Sequence, residues 1–196
     1  MKLTVIVLAG GDSQRLGGVD KTSIEINGRT MLDRVLAGWP SDARLIVVGP
    51  KRPTVRPVTW CRESPPGGGP ACAIAAALPL VATELVALVG ADMPLLGPAV
   101  VPLVDAAATA VANGADGAWL VSSSGRQQPL AACVGAAALN GALPRLTVDQ
   151  ALFPIMLRLS LHEVEVFDDW LLDTDTEADL ERVTHLLHRV EGRNHD

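Results

Sequence analysis

Tyrosine is absent from these 196 residues, and the other large aromatics amount to two phenylalanines and four tryptophans. A core must therefore be aliphatic, and the repeated ring platforms on which single-stranded nucleic acid stacks are scarce. Positive charge is also in short supply: 16 lysines and arginines face 22 aspartates and glutamates, for a formal charge of -6. No broad basic field exists to hold a polyphosphate backbone, so any phosphate must be bound locally. The three cysteines, Cys61, Cys72 and Cys133, form no CxxC pair and have no histidine cluster at zinc-ligand spacing. They read as buried free thiols in a reducing compartment. No run reaches the roughly 18 uninterrupted apolar residues that cross a bilayer. The opening apolar run, 3–8, is too short for a signal-peptide core and lacks a cleavage site. A soluble, cytoplasmic protein with no nucleic-acid or membrane partner is expected.

What is present is aliphatic: 48% of the chain is hydrophobic. Short β-branched or aliphatic runs at 3–8, 44–48, 85–89, 117–121 and 161–167 predict strands. Several lack polar alternation, as strands buried on both faces of a mostly parallel sheet do. Helical patterns fall between them, at 30–38, 71–80, 99–113, 136–143 and 147–157. In 176–187, Leu180, Val183, Leu186 and Leu187 share a face opposite Glu177, Asp179, Glu181 and Arg182, which predicts a closing amphipathic helix. Alternating strands and helices imply right-handed crossovers and a three-layer α/β/α sandwich with a Rossmann-like sheet. No repeat or linker interrupts the pattern. One domain over 1–190 is expected, followed by a charged tail, 191–196, that frays.

Directly after the first strand comes Leu8-Ala9-Gly10-Gly11-Asp12-Ser13-Gln14-Arg15-Leu16-Gly17-Gly18-Val19-Asp20-Lys21. Its four glycines let backbone amides approach a ligand closely, and Arg15 and Lys21 add a planar fork and a point charge suited to phosphate oxygens. The spelling excludes two common alternatives. A dinucleotide fingerprint needs G-x-G-x-x-G, and a P-loop needs glycine immediately before its lysine. Further on, Asp92 in Gly90-Ala91-Asp92-Met93-Pro94 follows the third strand, and Pro94 blocks further ladder pairing. Asp92 is thereby set at the carboxyl edge of the sheet, where ligands bind in open α/β folds and a carboxylate can hold Mg²⁺. By themselves, a flexible glycine loop with two solvated cations and an aspartate acting as a cap or turn former also satisfy these residues.

The run from Leu8 to Lys21 resembles the signature loop of sugar-nucleotide and cofactor nucleotidyltransferases. Its Gly17-Gly18-Val19-Asp20-Lys21 ending is similar to that of the molybdenum cofactor guanylyltransferases. The resemblance implies that Leu8, Ala9, Gly10 and Gly11 contact the base and phosphates of a nucleotide, and that Arg15 and Lys21 hold its triphosphate. It also implies that Asp92 binds the metal and that Gly69-Pro70, in Glu63-Ser64-Pro65-Pro66-Gly67-Gly68-Gly69-Pro70, lie beside base and ribose. Relatives usually carry leucine, alanine and glycine after that proline, where this chain has Ala71-Cys72-Ala73. A proline-rich turn opening a helix is the plain alternative.

In the far half, Gly125-Arg126-Gln127-Gln128-Pro129 and Leu172-Asp173-Thr174-Asp175-Thr176 resemble the segments that face the acceptor and close the site. The resemblance implies acceptor contacts for Arg126, Asp173 and Asp175. Guanylyltransferases of this type usually show asparagine where Asp173 and Asp175 stand, and proline at Glu177, while relatives acting on other acceptors often carry the two acids. Residues two apart in an extended segment share a side, so both carboxylates can face one cleft, and the resemblance to related nucleotidyltransferases implies Asp175 as a second metal ligand beside Asp92. Capping of the last helix by Asp175 or Thr176 is the alternative. The implied reaction is Mg²⁺-dependent transfer of GMP from GTP to molybdopterin, with cofactor-biosynthesis or chaperone proteins as further partners. Three others remain: a relative that transfers CMP to molybdopterin or GMP to another phosphorylated acceptor, a sugar-1-phosphate nucleotidyltransferase, and a nucleotide-binding partner without catalysis.

Overall fold

The computed structural model describes residues 1–10, 21–144 and 147–192. Seven strands form one sheet: β1 (Leu3–Leu8), β4 (Arg44–Val48), β5 (Thr59–Cys61), β6 (Leu85–Gly90), β7 (Gly117–Val121), β8 (Gln127–Gly135) and β9 (Leu161–Glu165), in the order β5-β4-β1-β6-β8-β7-β9. All run parallel except β8, which is antiparallel to both neighbours. A small hairpin, β2 (Glu25–Ile26) and β3 (Arg29–Thr30), turns at Asn27-Gly28, both at positive φ. That dipeptide is the strongest short-range hairpin signal, yet the apolar-run reading passes over it. The helices are α1 (Met31–Ala37), α2 (Gly69–Ala77), α3 (Gly97–Ala112), α4 (Ala136–Ala142), α5 (Leu152–Met156) and α6 (Glu177–Gly192).

The two-residue period of β1 sorts its side chains into two cores. Leu3, Val5 and Val7 join Leu32, Leu36, Leu96 and Leu103 on one face, and Ile6 joins Ile46, Leu88, Ile74 and Leu139 on the other. Covering both faces with helices produces the three-layer α/β/α sandwich that strand composition predicts. A third cluster packs Val183 and Leu187 of α6 against Ile26 and Met31, which ties the closing helix to the front of the molecule. Among the described residues no helix is long and apolar enough to cross a membrane.

Besides the hairpin and the short strand β5, which the pattern reading does not predict, three elements differ from it. β8 carries Pro129 and an alanine run that has little strand propensity. It pairs because the β7–β8 register skips between Trp119 and Leu120, from Ala132 to Gln128, leaving Pro129 in the irregular stretch where no ladder bond is required. The helix expected at 147–157 shrinks to Leu152–Met156, because Asp149 takes a left-handed φ of 56° and its N–H donates to Gly68 O at 2.9 Å. The strand expected at 161–167 ends at Glu165 and passes into a 3₁₀ turn over Asp168–Leu171. Cys72 and Cys133 are buried free thiols as expected, whereas Cys61 is half-buried on the short edge strand β5.

Candidate active site

The parallel strands β1, β4 and β6 deliver Leu8, Val48 and Gly90 to the same edge of the sheet, where Ala9 N–H bonds Val48 O at 2.8 Å and Ala91 N–H bonds Leu8 O at 3.0 Å. The glycine loop therefore leaves the sheet between its two neighbouring strand ends. Its exit is tight: Gly49 has φ +154°, and a Cβ there would meet the Ala9 carbonyl at 2.7 Å, so only glycine lets the two chains pass. Half-buried Leu8, buried Ala9 and exposed Gly10 form the start of the loop. Gly11 and Arg15 lie outside the described residues.

Lys21 sits at the far end of that loop, in a 3₁₀ turn, and its ammonium pairs with Asp175 Oδ1 at 2.8 Å. Arg52, from the loop after β4, donates to Thr22 Oγ1 and to Pro50 O, the latter at 3.2 Å, and so holds the turn that carries Lys21. Asp92 lies two residues past β6. Thr174 N–H bonds Asp92 O at 3.1 Å, and the Thr174 hydroxyl donates to Asp92 O at 3.3 Å and to Met31 Sδ at 3.2 Å. Thr174 is fully buried. Extended backbone alternates its side chains, so Asp173 and Asp175 on either side of it turn the other way.

The acids on these segments feel one another electrostatically. Burial raises the Asp92 carboxyl above the ordinary carboxylate range, with Asp173 and Asp175 adding to the rise, its own backbone amide opposing it and Lys21 opposing it weakly. Burial likewise raises Asp173, with Asp175 adding and Arg126 opposing. A carboxylate pushed up by burial and neighbouring anions gains when a cation arrives. Among the described residues no three His, Cys, Asp or Glu side chains converge closely enough to hold a metal alone. Mg²⁺ takes one or two carboxylates and completes its shell with phosphate and water. The cap alternative resolves onto Thr176: its hydroxyl accepts from Asp179 N–H at 3.2 Å, and Asp179 Oδ2 accepts from Thr176 N–H at 2.8 Å and Oγ1 at 2.6 Å. This reciprocal cap leaves Asp175 to face Lys21.

Gly69 and Pro70 open α2 beside the same edge. The functional surprise of that segment is Glu63, buried at 9% exposure. Its Oε1 accepts from Gly67 N–H at 3.1 Å, while Oε2 is buried and has no partner among the described residues. A Cβ placed on Gly10 would lie 3.4 Å from Oε1 and 3.8 Å from Oε2, so this carboxylate borders the glycine loop. A lone acid in a Pro-Gly stretch carries no local signal of burial, and so pattern reading passes over it. Exposed Arg126 begins the approach to β8, its N–H held by Ser122 Oγ at 3.0 Å. A separate hollow of about 560 Å³, lined by Leu78, Val81, Ala136 and Leu143 at the other end of α2, has no ionisable lining residue among the described residues.

A model of the MobA-like NTP transferase domain matches residues 5–164, a span that holds Lys21, Glu63, Asp92 and Arg126 and ends before Asp173 and Asp175. A probable molybdenum cofactor guanylyltransferase from Deinococcus radiodurans is 36% identical over 98 residues, covering 49% of this chain and 50% of that protein. The chain spans about half the length of the curated relatives it matches. Among solved structures, molybdopterin-guanine dinucleotide biosynthesis protein A from Archaeoglobus fulgidus superposes with a TM-score of 0.73 at 21% identity, over 95% of this chain and 99% of that one. A 2-C-methyl-D-erythritol 4-phosphate cytidylyltransferase from Thermus thermophilus gives 0.67 at 19% identity, over 96% and 100%. At these identities the structural likeness speaks for the fold, which is the nucleotidyltransferase fold.

Proposed function

The chain belongs to the MobA-like NTP transferase family, and we propose that it transfers GMP from GTP to the terminal phosphate of molybdopterin, forming the guanine dinucleotide cofactor and pyrophosphate. The observation that carries this reading is the meeting of Asp92 and the Lys21–Asp175 pair where β1 and β6 end. An acceptor phosphate oxygen attacks the α-phosphorus, the α–β bridging P–O bond breaks, and the electron pair leaves on pyrophosphate. The backbone amide at Gly10, exposed where the glycine loop leaves the sheet, orients the triphosphate. Lys21 exchanges Asp175 for the β and γ oxygens and neutralises the leaving group, with Arg15 as a second cation. Asp92, with Asp175, is suited to hold Mg²⁺, which would supply charge neutralisation between two phosphates that otherwise repel. Arg126 and Asp173 hold the acceptor. Cofactor-biosynthesis or molybdoenzyme chaperone proteins would deliver and collect the pterin.

Glu63 supports guanine. Its buried oxygen beside Gly10, unpaired among the described residues, is an acceptor awaiting a donor, and such a group costs about 1–3 kcal/mol until it is satisfied. Guanine presents N1–H and the 2-amino group side by side to a carboxylate. Cytosine presents one amino group next to the N3 lone pair, which a carboxylate repels. The acids at Asp173 and Asp175 favour a second reading, in which GMP goes to a different phosphorylated acceptor. The test compares GTP, CTP, ATP and UTP with Mg²⁺ by thermal shift, since a ligand that binds only the native state raises Tm, and then assays dinucleotide formation with molybdopterin. GTP should give the largest shift, and Glu63→Gln should erase its lead over CTP. Asp92→Ala and Lys21→Ala should abolish transfer in folded protein. A larger shift with CTP would overturn the guanylyl assignment, and wild-type rates in either alanine variant would overturn the scheme.

A further inference from the structure

Among the described residues of this aromatic-poor chain, two aromatic side chains are largely exposed, Phe153 and Phe167. Phe153 lies flat on Trp119, with ring centroids 6.1 Å apart and planes 12° apart, so one face of its ring is already covered on the helical side of the sheet. Phe167 is different. It is 72% exposed although its ring is held in a T-shaped contact with Trp170, at 5.1 Å and 80°. Trp170 in turn packs on the main core. An exposed ring on a fixed mount retains little motion to lose on binding, which favours stacking over loose contact.

The mount is fixed from several sides. Val166 N–H bonds Val121 O at 3.0 Å and Trp170 N–H bonds Phe167 O at 2.9 Å. Asp168 Oδ1 accepts from Ser123 N–H at 2.8 Å, which joins this turn to the turn that carries Arg126. Arg182 reaches Asp169 at 2.6 Å. From Phe167 the chain runs back across the edge of the sheet, from β9 to β6, where Thr174 meets Asp92. Asp173 lies on that path close enough to feel Arg126. Between the strand that delivers Asp92 and the strand that delivers Phe167 there are three strand spacings, roughly 14 Å. Along this edge of the sheet, the segments that carry Arg126 and Asp173 thus lie between the strand that delivers Asp92 and the turn that carries the exposed ring of Phe167.

We propose that Phe167, backed by Trp170, is the stacking face for the flat fused ring at the end of the acceptor remote from its phosphate. This rests on the transfer reaction proposed above and adds to it where the ring lies. Asp173 accepts from the amino-pyrimidinone N–H groups of that ring, and Arg126 faces its polar edge. A phosphorylated acceptor with no ring leaves Phe167 without a role.

The test uses the full chain and the monophosphate of 6-hydroxymethylpterin, whose own fluorescence reports binding without chemistry. Dissociation constants are measured for wild type, Phe167→Ala, Phe167→Leu and Phe167→Trp, with the GTP-induced thermal shift and the sedimentation coefficient recorded for each. Alanine and leucine should weaken the probe about tenfold, in the range of stacking losses, while tryptophan stays within about twofold and the GTP shift is unchanged. Since Phe167 is exposed, its truncation spares the fold, and the GTP shift verifies this. Equal probe affinity in wild type and alanine variant overturns the stacking face and leaves a pterin acceptor standing. Full recovery by leucine also overturns it, because apolar area without a ring would then suffice. A wild-type protein that responds to GTP but ignores the probe overturns both this inference and the pterin acceptor. A variant that alters sedimentation without altering probe affinity assigns Phe167 to a second copy of the chain and overturns the proposal.

Discussion

Gly90 offers a way to move the Asp92 carboxylate without touching it chemically. A Cβ added at Gly90 would lie 2.4 Å from Asp92 Oδ1, while its next contacts, Asp92 Cγ and Met93 Cγ, are relaxed at 3.6 Å. The oxygen must retreat by about 0.6 Å to clear the 3.0 Å that real Cβ atoms respect, and by about 1 Å to reach ordinary contact. It is the end of a side chain and can rotate away, so the fold yields easily. Gly90 is a strand residue outside the positive-φ set, and Gly→Ala at a compatible backbone stabilises by about 0.4–1 kcal/mol through the unfolded state. The expected Gly90→Ala variant therefore melts no lower than wild type. A 1 Å misplacement in a site that works by positioning costs on the order of 10²-fold, or about 2.7 kcal/mol in the barrier. Pyrophosphate release in the presence of GTP and acceptor, alongside thermal unfolding, reads both quantities. Combining Gly90→Ala with Asp92→Asn should add nothing to the loss from Asp92→Asn alone, since both act through one carboxylate. Undiminished turnover in a well-folded Gly90→Ala protein would refute the reasoning, as would additive losses in the pair.

Asp175→Asn removes the anion paired with Lys21. The pair is partly exposed, at 13% and 44% of the two side chains, so it contributes no more than about 1 kcal/mol. Metal-free GTP should then bind up to about fivefold tighter by calorimetry in EDTA, and an unchanged or weaker affinity would count against competition for Lys21. Thr174→Val keeps the shape and removes the hydroxyl that bonds Met31 Sδ and Asp92 O. It should cost about 1 kcal/mol and about 2–4 °C in Tm, with activity falling further than stability because the crossing segment loosens beside Asp92. Thr176→Ala breaks the reciprocal cap of α6 and should cost about 1 kcal/mol at neutral pH. The Thr176 hydroxyl holds the Asp179 carboxyl below its ordinary value, so the cap's contribution is complete above that value and is lost as pH falls through the lower folded one. The gap in Tm between the variant and wild type should narrow in acid, and a gap independent of pH would separate the cap from Asp179.

Much of this fold follows from neighbours a few residues apart. Strands 3–8, 44–48 and 117–121 match their predicted limits, because a run of aliphatic side chains buried on both faces has no polar period to misread. The position of Asp92 is equally local, since a buried strand followed by Asp-Met-Pro has to release the chain at the sheet edge. What depends on tertiary structure is every property that one element confers on another. The Lys21–Asp175 pair joins residues 154 apart, and the burial of Glu63 depends on Gly10 and Gly67. Pairing of the alanine-rich β8 and the loss of the first turn of the helix at 147–157 are also long-range effects. Periodicity and capping are written in consecutive side chains. Desolvation, ion pairing and the choice between Asp175 and Thr176 as cap arise only when distant segments close on the same few ångströms, and so they belong to the folded molecule.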